Sequence, residues 1–130
     1  MQLSDLEQDN FPCKLEEWTS NLADQLGHPQ QTWGYARKAI SLYLRDCIEN
    51  FRIRKRFKLG NFELLLELPL DSYSMSFVRR ECDRRDLVRR IKDLNCLTHA
   101  DYQNAANTVA QRYRIRRYEL DYVCWRNDTQ

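Results

Sequence analysis

TWGYARKAISLYLRDCIENF, Thr32 to Phe51, is the stretch that decides the fold class. Ala36, Ala39, Ile40, Tyr43, Leu44, Cys47, Ile48 and Phe51 recur at helical spacing and cover a wide apolar face. That is the pattern of an α-helix packed on more than one side, expected from about Trp33 to Phe51. Its first turn is unusual. Gly34 and Ala36 bracket Tyr35, and Arg37 and Lys38 follow one turn into the amphipathic segment.

Outward from this helix the same period recurs. Upstream, Leu15, Trp18, Leu22, Ala23 and Leu26 form a helical face that Gly27 and Pro29 close. Downstream, Phe51 to Gly60 interleaves five basic residues with Phe51, Ile53 and Phe57, and Asn61 to Leu68 predicts a short helix before Pro69. Asp71 reads as the N-cap of a helix through Ser72–Glu81. Asp86 to Leu94 predicts a further helix, with Leu87, Val88, Ile91 and Leu94 on one face. Thr98 and Asp101 resemble a capping box opening a helix through Ala105, Ala106, Val109 and Tyr113. The last segment, Arg116 to Arg126, fits a helix or a strand by periodicity alone. Tyr118, Leu120, Tyr122, Cys124 and Trp125 read there as an aromatic element closing the core.

A chain of 130 residues buries about two-thirds of its unfolded surface, enough for one domain without disulfides or metals. Apolar residues at 42% and charged residues at 31% exclude a disordered tail, and no apolar run approaches a membrane span. The first residues lack the layout of a secretory signal, so an intracellular, cytoplasmic chain is expected. Cys13, Cys47, Cys82, Cys96 and Cys124 contain no CxxC pair, and only His28 and His99 are at hand to complete a metal site. Reduced, mostly buried thiols are therefore expected, with no metal and no cofactor.

Charge is unevenly distributed. Residues 1–30 hold six acids against Lys14, a net of −5 in a chain whose total is +2, so residues 31–130 carry +7. Sixteen of the 21 basic residues are arginines, the side chain whose planar fork suits phosphate. Three clusters stand out, around Arg52–Lys58, Arg79–Lys92 and Arg112–Arg117, each beside aromatics. Such a mix suits phosphates and unstacked bases. The acids Glu81, Asp83, Asp86 and Asp93 equally make the second cluster a solvated face.

Two segments together carry a resemblance. Gly34-Tyr35-Ala36-Arg37-Lys38-Ala39, and later Pro69-Leu70-Asp71-Ser72-Tyr73, resemble the hairpin and the aspartate segment of the helix-hairpin-helix DNA glycosylase superfamily. The match spans about residues 33–46 and 69–80. Ala36 replaces the second hairpin glycine of that family, and Tyr73 its histidine. The resemblance implies an all-α fold: one compact domain of six to seven helices with a helix-hairpin-helix element. An acidic N-terminal helix region, residues 1–30, would precede a basic core, residues 31–130.

The resemblance also implies chemistry. Lys38 falls on the nucleophilic lysine of bifunctional members, and Asp71 on the aspartate that stabilises the oxocarbenium ion. Tyr35 to Arg37 would bind a DNA phosphate through backbone N–H groups. Gly34 and Ala36 would form that turn, Trp33 would line a cleft, and Arg79 and Arg80 would add basic contacts. The target base would be flipped out of its stack. DNA is the expected partner, and the expected activity that of a DNA N-glycosylase and AP lyase. The residues also admit plainer roles: Lys38 as a solvated lysine on a mostly polar face, Asp71 as a helix cap. A catalytically inert helical module, binding nucleic acid or protein and of phage or mobile-element type, is the alternative.

Overall fold

A computed structural model describes residues 1–128, and every element in them is helical, turn or extended connection. Helix α1, Phe11–Leu26, buries Phe11, Leu15, Trp18, Thr19 and Ala23. It ends at Gly27, whose φ of 82° favours glycine. After a two-residue turn α2 runs Pro29–Glu49, antiparallel to α1. It starts four residues before the expected Trp33 because Pro29 is preorganised for a first helical turn. The Thr32 hydroxyl, within 3.2 Å of the carbonyls of Ala23, Gly27 and His28, ties the turn together.

The expected helix to Phe51 is two helices. Asn50 leaves the helical conformation, and its Oδ1 accepts from the N–H groups of Arg52 and Ile53. It thereby caps α3, Phe51–Arg56.

The segment after α3 departs from the expected helix over residues 61–68. A 3-10 turn, Leu59–Phe62, gives way to a connection in which Leu66, Leu68 and Leu70 are all buried. Their period is two, the period of an extended chain, and the run of leucines hid it. Gln103 takes the place of a partner strand, accepting from Leu68 N at 3.0 Å and donating to Leu68 O at 2.8 Å. Arg117 donates to the Leu65 and Leu66 carbonyls, 3.1 Å each.

Helix α4, Ser72–Cys82, is capped as the sequence predicts. Asp71 Oδ1 accepts from Tyr73 N and Ser74 N, and Ser74 Oγ accepts from Asp71 N, a reciprocal capping box. Residues 86–94 form no α-helix, only a 3-10 turn at Ile91–Asp93. Local forks hold this loop instead: Arg84 grips both oxygens of Asp86, and Arg90 both oxygens of Asp93. Helix α5, Cys96–Tyr113, opens earlier than expected, at an Asn95/Thr98 capping box rather than at Thr98 and Asp101. Helix α6 spans Leu120–Asp128 and settles the ambiguous last segment as helical.

Two apolar cores result. One gathers Trp33, Leu68, Leu70, Met75, Phe77, Tyr102, Val109 and Leu120 around α4, α5 and α6. The other gathers Phe11, Leu15, Trp18, Ile40, Leu44, Ile48, Phe62 and Leu66 between α1 and α2. Helix α2 contributes to both. Glu67 sits in the chain between Leu66 of one core and Leu68 of the other.

Candidate functional site

Lys38 and Asp71, 33 positions apart in sequence, meet in the fold: Lys38 Nζ lies 3.8 Å from Asp71 Oδ2. Helix α2 carries the lysine, about a third exposed, and the start of α4 carries the buried carboxylate. The Asp71 oxygens divide their work. Oδ1 holds the first N–H groups of α4, which fixes the carboxylate, and Oδ2 faces the lysine.

Helix α6 completes the surroundings. Asp121 accepts from Arg45 Nη1 at 2.6 Å, and the Arg45 guanidinium lies 5.5 Å from the Tyr122 ring centroid. Tyr122 donates its hydroxyl to Glu49. Burial pushes the Asp121 carboxyl up; Arg45 opposes this and Asp71 adds to it. Burial, with Asp121 and Asp71, pushes the Cys124 thiol up to about 12, so it is a packed, protonated group rather than a nucleophile. Around this polar centre stand two aromatics, Tyr73 and Trp125, each 44% exposed, with ring centroids 4.6 Å apart. The sequence places Trp125 in the core, yet the tryptophan is exposed and packs against Tyr73 with the ring planes tilted by 43°. The i, i+4 burial of Leu120 and Cys124 was the available signal that Trp125 faces away.

The remaining expected site residues fall elsewhere. Gly34, Tyr35 and Ala36 lie inside α2, not in a turn, so their N–H groups belong to the helix and offer no phosphate cradle. The real turn is Gly27–His28, seven residues earlier. Gly34 and Ala36 are buried, whereas Tyr35 is exposed. Gly34 serves packing: a Cβ there would run into the Ile91 carbonyl oxygen and stand 3.1 Å from Leu94 Cβ. Trp33 is buried in the larger core at 9% exposure, and its edge helps line an open depression with Pro29, Gln30, Leu94 and Asn95, away from Asp71; its Nε1 donates to Glu16 at 3.2 Å. Arg79 is half-buried and donates to the Tyr102 hydroxyl at 2.8 Å. Arg80 is exposed, as expected.

Arg37 is the largest correction. It is buried and grips Glu67 with both arms, Nε to Oε1 at 2.8 Å and Nη2 to Oε2 at 3.1 Å. Nη1 donates to Thr19 at 3.0 Å, and the guanidinium lies 5.3 Å from the Trp33 ring centroid. His99 Nε2 stands 3.7 Å from Glu67 and 3.3 Å from the Gln103 amide nitrogen. Burial alone would raise the Glu67 carboxyl, but surrounding positive charge from His99, Arg37 and Arg117 outweighs it and holds the group below its usual range. Burial pushes His99 down to about 4 against the pull of Glu67, so at neutral pH the arginines supply that charge. This network joins α1, α2, α5 and the connection at Glu67. It is structural.

A pH dependence follows from His99. Unfolded, the imidazole takes up its proton near 6.5; folded, it does so only near 4. The unfolded chain therefore binds more protons between these values, and stability falls as pH drops through that window. Urea unfolding should show about 2–3 kcal/mol less stability from this group at pH 4.5 than at pH 7.5. His99→Gln should lose that part of the slope. An unchanged slope in the variant would refute the assignment.

The thiols are more exposed than expected, since Cys13 and Cys96 face solvent while Cys47 and Cys124 are buried. No helix among the described residues is long and apolar enough to cross a membrane. No protein-family model matches the chain, and no curated protein or solved structure matches it at a significant level.

Proposed function

We propose that this chain acts on DNA as a glycosylase with lyase capacity, with Lys38 as nucleophile and Asp71 as the stabilising carboxylate. The observation that carries the reading is the 3.8 Å approach of Lys38 Nζ to Asp71 Oδ2 from two separate elements. Groups this close can both reach one reacting carbon that lies off the line joining them, at about 3–3.5 Å from each. Asp71 is held by its cap through Oδ1 and turns Oδ2 to Lys38, a placement suited to the positive charge that develops as the glycosidic bond breaks. Tyr73 and Trp125 offer ring surface on which an unstacked base packs. Phosphate contact comes from exposed side chains such as Arg80 rather than from a backbone hairpin.

In this mechanism Lys38 first gives a proton to solvent and its amine attacks C1′, and the C1′–N bond leaves with its electron pair on the base, which takes a proton. The new ammonium then loses its proton, the nitrogen lone pair expels O4′, which keeps the bonding pair and takes a proton, and an iminium joins Nζ to C1′. Borohydride reduces that iminium to a stable secondary amine.

Trapping with borohydride on oligonucleotides carrying oxidised, deaminated or alkylated bases or an abasic site therefore tests the reading. Wild type should give a covalent adduct that Lys38→Ala abolishes. Asp71→Asn keeps a good helix cap but loses the charge, so it should fold normally and react about a hundredfold more slowly. No Lys38-dependent adduct across that panel would leave the pair as an ion pair of the fold.

A further inference from the structure

We infer that α3 and its flanks form a second anchor for the DNA phosphate backbone, separate from the Lys38–Asp71 centre. The six-residue helix Phe51–Arg56 and the following residues present Arg52, Lys55, Arg56 and Lys58 to solvent. None of the four forms an ion pair among the described residues. Their neighbour Arg54 shows what a structural arginine here does instead: it turns inward against Gly60 and pairs with Glu63, which also binds Arg116 at 2.7 Å. Glu63 is thus consumed twice, and the other cations are left uncompensated.

The aromatics beside them split by role. Ile53 and Phe57 pack on the α1–α2 core, and Arg56 lies over the Phe57 ring at 5.4 Å. Phe51, by contrast, is 77% exposed at the start of the helix. One open ring among several unpaired cations suits a strand whose phosphates meet the charges and whose unstacked base meets the ring. A membrane surface asks for a continuous apolar face, and this helix has turned Ile53 inward. The charges also have a limit: Glu7 and Asp9 share a shallow depression with Phe57 and Lys58, so the phosphate track ends at that side.

Spacing links this surface to the proposed reaction, and here the inference rests on that reading. From Lys38 to Glu49 the α2 axis advances about 17 Å at 1.5 Å per residue. That equals about five nucleotides along one strand of a duplex. A strand that reacts at Lys38 and follows the α2 axis meets α3 within half a helical turn of DNA.

The experiment compares wild type, the triple variant Arg52→Gln/Lys55→Gln/Arg56→Gln, and Lys38→Ala. Anisotropy titrations with single- and double-stranded oligonucleotides would be run over a range of salt. Circular dichroism checks that the triple variant, changed only at exposed positions, keeps its helices. The plot of log affinity against log salt should lose about 2–3 units of slope in the triple variant, with binding at least tenfold weaker at low salt. Lys38→Ala should lose the trapped adduct. An unchanged slope and affinity in the triple variant overturns the anchor, even where the adduct forms. An α3-dependent slope without any adduct keeps the anchor and removes the enzyme. Failure of wild type to bind either oligonucleotide at low salt overturns the anchor, as does α3-dependent binding to phosphatidylserine vesicles in place of DNA.

Discussion

Replacing Arg37 with leucine should destabilise the fold by about 3–5 kcal/mol. That is a large share of the roughly 5–15 kcal/mol by which folded domains exceed their unfolded chains. The loss arises from what remains, not from the arginine itself. Without the guanidinium, Glu67 stays buried with both oxygens unpaired, beside a His99 that is neutral at pH 7. Arg117 cannot swing over freely, since it already serves the Leu65 and Leu66 carbonyls. Thr19 loses a hydrogen-bond donor and Glu16 an ion-pair partner at 3.5 Å as well. Urea unfolding of Arg37→Leu and of Arg37→Leu/Glu67→Leu separates the effects. The double variant should recover a good part of the loss, because an apolar pair leaves no buried charge behind. A loss below about 1 kcal/mol in the single variant would show that Glu67 finds other partners, against the geometry described.

Gly34→Ala should also destabilise, by about 2 kcal/mol, although alanine is the better helix former by about 1 kcal/mol. Here two effects oppose, and their sizes decide. The new methyl would collide with the Ile91 backbone oxygen and press on Ile91 Cγ2 at 3.0 Å and Leu94 Cβ at 3.1 Å. A backbone carbonyl does not rotate aside like the tip of a lysine. The 91–94 segment must retreat from α2, taking Leu94 partly out of the core. Thermal unfolding measures the net change. Equal or higher stability for Gly34→Ala would mean that the loop yields without loss, and Gly34→Val would then be the sharper trial.

The sequence disclosed the helices whose signals are local. Asp71 and Ser74 announce the start of α4 whatever surrounds them, and the faces of α1 and α2 repeat cleanly. Signals that depend on distant partners were not legible. Leu64, Leu65 and Leu66 read as helix because nothing local reveals that Gln103 waits to pair with Leu68. Leu87, Ile91 and Leu94 have helical spacing but bury from a loop held by arginine–aspartate forks. At the candidate site, Lys38 and Asp71 stand out together in the sequence and lie 3.8 Å apart in the fold, although the turn expected beside Lys38 is helix interior. The fate of Arg37 was not. Its neighbour Lys38 has the same charge class, and only the position of Glu67 between two cores decides which cation turns inward. The resemblance that pointed to Gly34 as a phosphate turn pointed to a real constraint for another reason, the close passage of Ile91.

The division into two cores sets the spacing of Lys38 and Asp71. Lys38 rides on α2 between Trp33, which belongs to one core, and Ile40, which belongs to the other, while Asp71 follows directly on Leu70 of the first. Their separation therefore records the alignment of two packed bodies rather than the placement of two side chains. Substitutions deep in either body reach the pair mechanically, as a vernier reads a small slip between two scales. In such a molecule the span of 3.8 Å is adjustable from a distance. Interior methyl groups thus bear on that span as much as the residues that face solvent.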